Sequence, residues 1–473
     1  MNKYKKLVSN TAILGIGTFA SKLLVFFLMP LYTRCLTTAE YSTADLIMQT
    51  SNLLMPLISL GIYDAVFRYT LDGEKYDKRS VFSSGFVTLL FGTAVFLLLT
   101  PVLRYVPYFG TDTWLIFLYV IAAIFHSLCA QFVRAEGKTA LFAFQGILAT
   151  ALTIGFNILF LVGFSMKVTG YVLSVILADV ISTLFLMFYA KLYKHISFKS
   201  VKRDFLFSML KYSVPLIPTT VFWWATNVAD RYMVEHICGA GINGLYAVSY
   251  KIPTLLILLS GIFIEAWQFS AVTERGDGDM EHSRFFGTIF DSFQAIMFIA
   301  GAFLVAFAKI CTVILVSPEF YDSWQYIPIL SVATIFSSLV TFMGSVYLVE
   351  KKSVLSFVTS AIGALINIVL NLILIPVWGA NGAAIATFFC YFVVFIIRAV
   401  NTQKYIRFNL HTVKLTLNTL IVAFQSFAMI FEIPGWIVIQ CAAILAIVII
   451  NAKPIYMGVM KVFERKLKIK KRD

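Results

Sequence analysis

Long apolar stretches, separated by short polar or charged breaks, follow one another along the whole chain. Most hold about twenty residues, the length that an α-helix needs to cross roughly 30 Å of hydrocarbon. Such runs are too long for the strands of a membrane barrel, and in lipid the backbone must satisfy its own hydrogen bonds, so they predict membrane-spanning helices. We predict fourteen spans, near residues 11–33, 41–66, 81–101, 113–133, 139–163, 171–190, 212–234, 244–270, 285–308, 325–349, 354–376, 381–398, 414–431 and 436–452. The predicted fold class is an all-α polytopic membrane protein.

The composition is that of a chain embedded in a membrane along its length. Of the 473 residues, 60% are hydrophobic and only 13% are charged, which is far from the usage of soluble domains. The six cysteines are scattered without a CxxC pair and resemble small packing residues, so we expect neither disulfides nor a metal site. A basic stretch precedes the first apolar segment, which lacks a small-residue cleavage site, and we interpret this segment as an uncleaved first helix.

The formal net charge of +14 is distributed in a way that indicates topology. With the N-terminus in the cytoplasm, the cytoplasmic segments hold 31 of the 38 Lys and Arg residues, the outer segments hold three, and four lie within spans. Cytoplasmic loops carry such an excess, so we predict a multi-pass protein of the cytoplasmic (inner) membrane with both termini inside. The positive charge then sets orientation and contacts anionic membrane lipids, and we expect no nucleic-acid partner.

The longest basic cytoplasmic segment follows the sixth span and separates two halves of six spans each. Shifting the second half back by 214 positions superimposes Lys352 on Lys138 and Asn371 on Asn157. Two copies with an even number of spans share one orientation, as in transporters whose halves are related by an axis along the membrane normal. We predict a six-helix lobe at 1–190, a basic cytoplasmic linker at 191–211, a second six-helix lobe at 212–400, and two extra helices with a basic cytoplasmic tail at 401–473.

Two segments of the sequence resemble a known family. Residues 9–46 contain PLYTR-x-L followed by an EYG-x-x-D-like pattern, with Ser42 where the family usually has Gly. Residues 371–387, NLILIPVWGANGAAIAT, resemble the second-half signature of the same group. On these motifs the chain is similar to Wzx-type polysaccharide flippases of the multidrug/oligosaccharidyl-lipid/polysaccharide exporter superfamily, and the resemblance extends over all fourteen spans.

The resemblance implies two six-helix lobes around a central cationic cavity, with alternating access. It implies export of undecaprenyl-pyrophosphate-linked oligosaccharide units for the assembly of surface polysaccharide, or exopolysaccharide. The partners that it implies are the lipid-linked oligosaccharide, a polysaccharide polymerase and glycosyltransferases. No cofactor is expected, and no strict motif fixes the residues of the cavity.

Basic residues inside predicted spans are the first candidates for substrate binding. Lys22 lies about eleven residues into the first helix, roughly 16 Å along its axis, too deep to reach either headgroup layer easily. We expect it to face the cavity, and the alternative is an ion pair with Asp179. Lys251 lies near Pro253, which bends helices, and the alternative is an interfacial lysine. Arg231 directly follows Asp230, and these opposite charges would partly neutralise each other.

Two arginines at helix ends are secondary candidates. Arg34 and Arg68 carry the forked guanidinium that suits a pyrophosphate, although arginines at span ends commonly anchor a helix at the interface. Among the acids, Asp179 and Glu265 lie deep in predicted spans and would either bind a coupling cation or pair with a lysine. Interhelical hydrogen bonding is the favoured interpretation of Asn157 and Asn371.

The sequence excludes several kinds of chemistry. Gly137-Lys138-Thr139 resembles the end of a P-loop, but Phe132 stands where the first glycine would be required, so ATP binding is rejected. No HExxH motif or plausible catalytic triad is present, and we predict that the chain is not an enzyme. A membrane polymerase or glycosyltransferase would need a substantial outer loop, whereas each predicted outer loop has sixteen residues or fewer. A multidrug cation antiporter of the same superfamily remains the alternative, and it would favour a cavity dominated by acids.

Overall fold

The computed structural model describes residues 26–72, 75–103, 105, 112–273, 279–350 and 352–470. Within these ranges the regular secondary structure is entirely helical. By their packing the residues divide into two compact units, Met1–Val228 and Ala229–Asp473. The boundary falls inside one long helix, and each unit is described by itself.

The described part of the first unit contains one short helix, seven longer ones and the first part of a further helix. Its helices are α1 (Met29–Cys35), α2 (Thr38–Ile58), α3 (Ile62–Leu71), α4 (Lys78–Leu103), α5 (Thr113–Ala135), α6 (Thr139–Asn157), α7 (Lys167–Tyr189), α8 (Arg203–Ser213) and the first part of α9 (Ile217–Cys238). A π-helical segment, Ile158–Gly163, extends α6, and 3₁₀ turns lie at Leu192–His195, Phe198–Ser200 and Val214–Leu216.

The second unit contains the end of α9 and eight further helices. They are α10 (Ala240–Ser249), α11 (Thr254–Thr273), α12 (Asp279–Ala306), α13 (Ala308–Leu315), α14 (Ile327–Val349), α15 (Ser353–Thr402), α16 (Thr412–Ile430) and α17 (Trp436–Lys470), with a 3₁₀ segment at Pro318–Gln325.

The described part of the chain has eleven helical segments that are long and apolar enough to cross a membrane, or twelve when the bent pair α2 and α3 counts as one span. The 49-residue segment Val354–Thr402 is broken at Gly379, whose φ of 58° and ψ of −142° are not helical, so it covers two predicted spans. Each of the thirteen predicted spans from 41–66 onward therefore has a helical counterpart. The first, 11–33, lies mostly outside the described residues. The prediction of an all-α polytopic membrane protein is confirmed.

The bend of 57° between α2 and α3 has a local cause. Leu60 and Gly61 both adopt left-handed backbone conformations, with φ of 52° and 61°, and the Ser59 hydroxyl accepts a hydrogen bond from the Gly61 N–H at 3.2 Å. On the neighbouring helix, Gly92 allows a close approach, because a Cβ at this position would lie 2.1 Å from the carbonyl oxygen of Ile58. The bend thus depends on Gly61, in the turn before α3, and on Gly92 in α4.

One central helix organises the packing of each unit. In the first unit α5 packs against α2, α3, α4, α6 and α7. In the second unit α14 packs against α11, α12, α15 and α16 around a core rich in phenylalanine, which includes Phe286, Phe290, Phe293, Phe336 and Phe342. Large apolar side chains such as those of Leu98 and Val413 point outward and are 80% and 75% exposed, as expected for helices surrounded by lipid.

The predicted linker, 191–211, is folded onto the first unit. The Ser83 hydroxyl in α4 donates to the carbonyl oxygen of His195 at 2.7 Å and accepts from the Ser197 N–H at 2.9 Å. The Ser80 hydroxyl donates to the carbonyl oxygen of Ser200 at 2.7 Å. The packing places residues 191–228 with the first unit, and the prediction that the halves repeat one six-helix architecture stays a prediction.

Candidate functional site

Two of the predicted site residues cannot be placed. Lys22 lies outside the described residues, and so does the side chain of Glu265 in α11. Arg34 is exposed in the last turn of α1. Arg68, in the last turn of α3, has a side chain that is 53% exposed and lies 3.4 Å from the carboxylate of Asp72, one helical turn away.

Lys251 lies at a break in its helix. The predicted span 244–270 consists of α10 and α11, and Lys251 is half-buried in the turn that joins them, beside Ile252 and Pro253. Its backbone N–H bonds to the carbonyl oxygen of Val248 at 3.0 Å. The bend expected near Pro253 is therefore a turn, and Lys251 lies at that turn.

Arg231 belongs to a buried polar cluster in the second unit. Asp230 is completely buried, and its carboxylate accepts hydrogen bonds from the Tyr246 hydroxyl at 2.7 Å and the Tyr250 hydroxyl at 2.6 Å. It also accepts the backbone N–H of Arg231 at 2.9 Å. The Arg231 guanidinium lies 4.7 Å from the centre of the Tyr250 ring, a favourable position for a cation. Both tyrosines thus bind the Asp230 carboxylate, and Tyr250 also contacts the Arg231 guanidinium.

Amides and a hydroxyl of α15 extend this cluster. The Thr387 hydroxyl lies 3.4 Å from the Asp230 carboxylate, and the Asn367 amide lies 3.4 Å from the Thr387 hydroxyl. The Asn371 amide donates to the Asn367 oxygen at 2.9 Å, while the oxygen of Asn371 is buried and accepts no hydrogen bond from a described residue. The break at Gly379 permits these contacts, because it folds the second half of α15 back toward the first.

The oxygens of this cluster determine what it can hold. Carboxylate, hydroxyl and amide oxygens suit a proton or a hard cation and are poor ligands for soft metals. Among the described residues, no group of three or more His, Cys, Asp and Glu side chains is arranged to hold a metal ion. The Asp230 cluster therefore has the chemistry of a charged anchor or a site for a small monovalent cation.

Asp179 has a partner that the sequence did not suggest. Its carboxylate lies 3.1 Å from Nδ1 of His126, and Nε2 of the same ring lies 2.7 Å from the amide oxygen of Gln145. The three residues come from α7, α5 and α6. Lys22, the alternative partner, is outside the described residues.

Three further polar residues complete the comparison with the sequence. Asn157 makes the expected interhelical bond, to the Tyr32 hydroxyl at 3.2 Å, whereas Asn371 bonds within its own helix. Arg398, at the edge of a predicted span, is only 3% exposed. Its guanidinium donates to the Thr359 hydroxyl and to the carbonyl oxygen of Val340, both at 3.0 Å, so it ties helices together.

Sequence reasoning missed the roles of His126, Asp230 and Arg398. Charged residues inside apolar runs were the available signal, since each of these side chains lies in such a run or at its edge. The tyrosines one helical turn apart, Tyr246 and Tyr250, were a second signal, because residues at this spacing share one helix face.

Comparisons with known proteins agree with this architecture. A family model described as "Polysaccharide biosynthesis protein" matches residues 7–267. No curated protein sequence matches the chain significantly.

Solved structures match over most of the chain. A structure of the lipid II flippase MurJ in an inward closed conformation matches with a TM-score of 0.71 and 14% identity, covering 95% of this chain and 100% of that one. An inward-facing multidrug resistance MATE family transporter of the MOP superfamily matches with a TM-score of 0.63 and 14% identity, covering 84% of this chain and 94% of that one. At these identities the likeness shows the fold, which is that of a multi-pass membrane transporter.

Proposed function

Because the chain belongs to the polysaccharide biosynthesis protein family, we propose that it is a flippase for lipid-linked oligosaccharide. It moves undecaprenyl-pyrophosphate-linked units across the bacterial cytoplasmic membrane by alternating access, for the assembly of surface polysaccharide. The observation that carries this proposal is the family match over residues 7–267. The fold shared with the lipid II flippase MurJ supports it.

The chemistry of the substrate defines what the chain must supply. Pyrophosphate is anionic and a glycan is polar, so the head group needs a wet, cationic path, while the polyprenyl tail stays in lipid. In this proposal the cations are Lys22, Arg231, Lys251, Arg34 and Arg68. Arg231 is the most deeply placed of those that the structure describes, and the Tyr250 ring lies beside its charge.

The membrane potential favours this direction of transport. Moving one negative charge outward across an inside-negative membrane is favourable by about 2.3 kcal/mol per 100 mV. A pyrophosphate carries at least one such charge, so the potential assists export.

Export of organic cations is the second candidate, and the fold shared with MATE transporters supports it. The surroundings of the acids favour the flippase. Basic residues lie beside three acids within the helices: Asp179 contacts His126, Asp230 precedes Arg231, and Asp291 pairs with Lys414 at 2.6 Å. A carboxylate that already has a basic neighbour attracts a cationic drug less strongly.

A deletion strain tests the proposal. We expect loss of surface polysaccharide and accumulation of lipid-linked oligosaccharide on the cytoplasmic side, both restored by the intact gene. Arg231→Gln should fail to restore export at normal protein abundance, while Arg407→Gln, at an exposed position, should restore it fully. Unchanged surface polysaccharide in the deletion strain, together with greater sensitivity to organic cations, would favour the antiporter instead.

A further inference from the structure

His126 and Asp179 lie deep inside the first unit, and the proposed function makes no use of them. At 1.5 Å per residue, His126 is about 14 Å from the nearer end of α5, and Asp179 is about 15 Å from the nearer end of α7. Both helices have the length and hydropathy of membrane spans. Ionisable side chains at such depth are costly and usually serve a function.

The hydrogen bonds of His126 fit the imidazolium. Nδ1 faces a carboxylate oxygen of Asp179 at 3.1 Å, and Nε2 faces the amide oxygen of Gln145 at 2.7 Å. Both neighbours are acceptors, and only a doubly protonated ring has two N–H groups to donate. The charged ring and the carboxylate then form a neutral pair.

Loss of one proton changes this arrangement. If the neutral ring keeps its hydrogen on Nε2, the Nδ1 lone pair faces the carboxylate and the contact becomes repulsive. If the ring keeps its hydrogen on Nδ1, the Gln145 amide has to turn and donate its NH₂ group to Nε2. Either way the Asp179 carboxylate loses the cationic partner that it has among the described residues, in a medium of low dielectric constant. The protonation state of His126 therefore changes the contacts between α5, α6 and α7.

Within the part of the chain that the structure describes, few other titratable groups reach the pair. Tyr119 of α5 interacts electrostatically with Asp179, and Tyr171 of α7 lies beyond it, near Tyr119. The sequence of α6 contains no titratable residue. On the remaining helices packed against α5, the titratable residues interact with other groups: Glu40 with Lys167, Tyr41 and Asp45 with Tyr171, Tyr63 with Asp64, Arg68 with Asp72, Tyr69 with Tyr76, Lys78 with Glu136, and Arg79 with the carbonyl oxygen of Lys194. The side chains of His126 and Asp179 are 17% and 18% exposed, which leaves a route for proton exchange.

We propose that His126, Asp179 and Gln145 form a proton-binding site, and that this site releases and regains one proton in each transport cycle. On release one ring N–H bond breaks, its electron pair stays on the nitrogen, and the proton passes to water. The link to transport rests on the proposed function, whereas the binding of the proton does not.

Nuclear magnetic resonance of the full chain in liposomes, labelled with ¹⁵N-histidine, tests proton binding. The His126 signal is identified by its loss in His126→Asn, or in His126→Gln if the first variant does not accumulate, and His236→Asn at an exposed position is the control. We expect two protonated ring nitrogens at neutral pH in the wild type and only one in Asp179→Asn. A wild-type His126 with one protonated nitrogen throughout about pH 5 to 8 would overturn the site.

Transport in liposomes tests the coupling, with fluorescent undecaprenyl-pyrophosphate N-acetylglucosamine as the probe. We expect an imposed pH gradient to accelerate movement of the probe by the wild type. Asp179→Asn and His126→Gln should lose this acceleration, whereas the exposed His236→Asn should keep it. Variants that respond to the gradient like the wild type would refute the coupling. If the wild type does not move the probe at all, the proposed function fails, while the resonance measurement still decides the proton site.

Discussion

The two tyrosines around Asp230 allow a sharp test of the buried cluster. Tyr250→Phe removes the hydroxyl that donates to the Asp230 carboxylate at 2.6 Å and keeps the ring beside the Arg231 guanidinium. Tyr246→Phe removes the second donor, at 2.7 Å, from a completely buried side chain. Each substitution thus removes one hydrogen bond to the carboxylate, together with the 3.4 Å contact between the two hydroxyls.

The expected loss follows from the charge of the acceptor. A hydrogen bond to a charged group contributes about 1.5–3 kcal/mol, so each variant should lower the free energy of unfolding by about 2 kcal/mol. A loss of this size is about a 30-fold change in the unfolding equilibrium constant. Unfolding in mixed micelles of detergent and dodecyl sulfate, followed by tryptophan fluorescence, measures it.

A matched control and a double-mutant cycle make the test specific. Tyr189→Phe, at a side chain that is 68% exposed, should change stability by less than about 0.5 kcal/mol. In the Asp230→Asn background the effect of Tyr250→Phe should shrink by about 1 kcal/mol, because the charged acceptor is gone. Two phenylalanine variants as stable as the wild type would show that the hydroxyls do not hold the carboxylate.

Three further predictions concern other parts of the chain. Gly92→Ala should destabilise the protein by about 1–3 kcal/mol, since the new Cβ would meet the Ile58 carbonyl oxygen, while Gly146→Ala, where a Cβ would have open space, should not; thermal unfolding compares them. Hydrogen bonds from Lys138 and Lys78 hold the pKa of Glu136 below its usual 4.5 despite the opposing effect of burial. The stability that Glu136→Gln removes should therefore be complete above about pH 4.5 and vanish as the pH falls further, which thermal scans at several pH values can check. Lys22→Gln should abolish export at normal abundance and Lys22→Arg should partly restore it, as measured by surface polysaccharide.

The helices could be predicted from the sequence because the length of an apolar run is itself the physical requirement for crossing a bilayer. Thirteen predicted spans have helical counterparts for this reason. The turn at Lys251 and the bend at Gly61 were harder to locate, because both lie inside runs whose hydropathy does not change. A change of backbone conformation at one or two residues hardly changes the mean hydropathy of the run that contains them.

Side-chain partners could not be predicted, because they depend on how each helix is rotated about its own axis. His126 meets Asp179 and Gln145 only because α5, α6 and α7 present particular faces to one another. Arg398 is one of the 31 basic residues that the sequence assigns to cytoplasmic segments, because it lies at the end of an apolar run. In the structure it is buried against α14. The charge of these residues is visible in the sequence, but their partners are visible only in the structure.

The docked segment after α7 limits how the gene can be divided. A protein split directly after residue 190, at the start of the basic stretch, would separate Ser80 and Ser83 from the carbonyl groups that they bind. Two co-expressed fragments would then have to form that contact again before the first unit could become stable. Affinity tags and fluorescent proteins inserted within residues 192–200 would disrupt the same hydrogen bonds. This stretch packs against the start of α4 and does not act as a spacer.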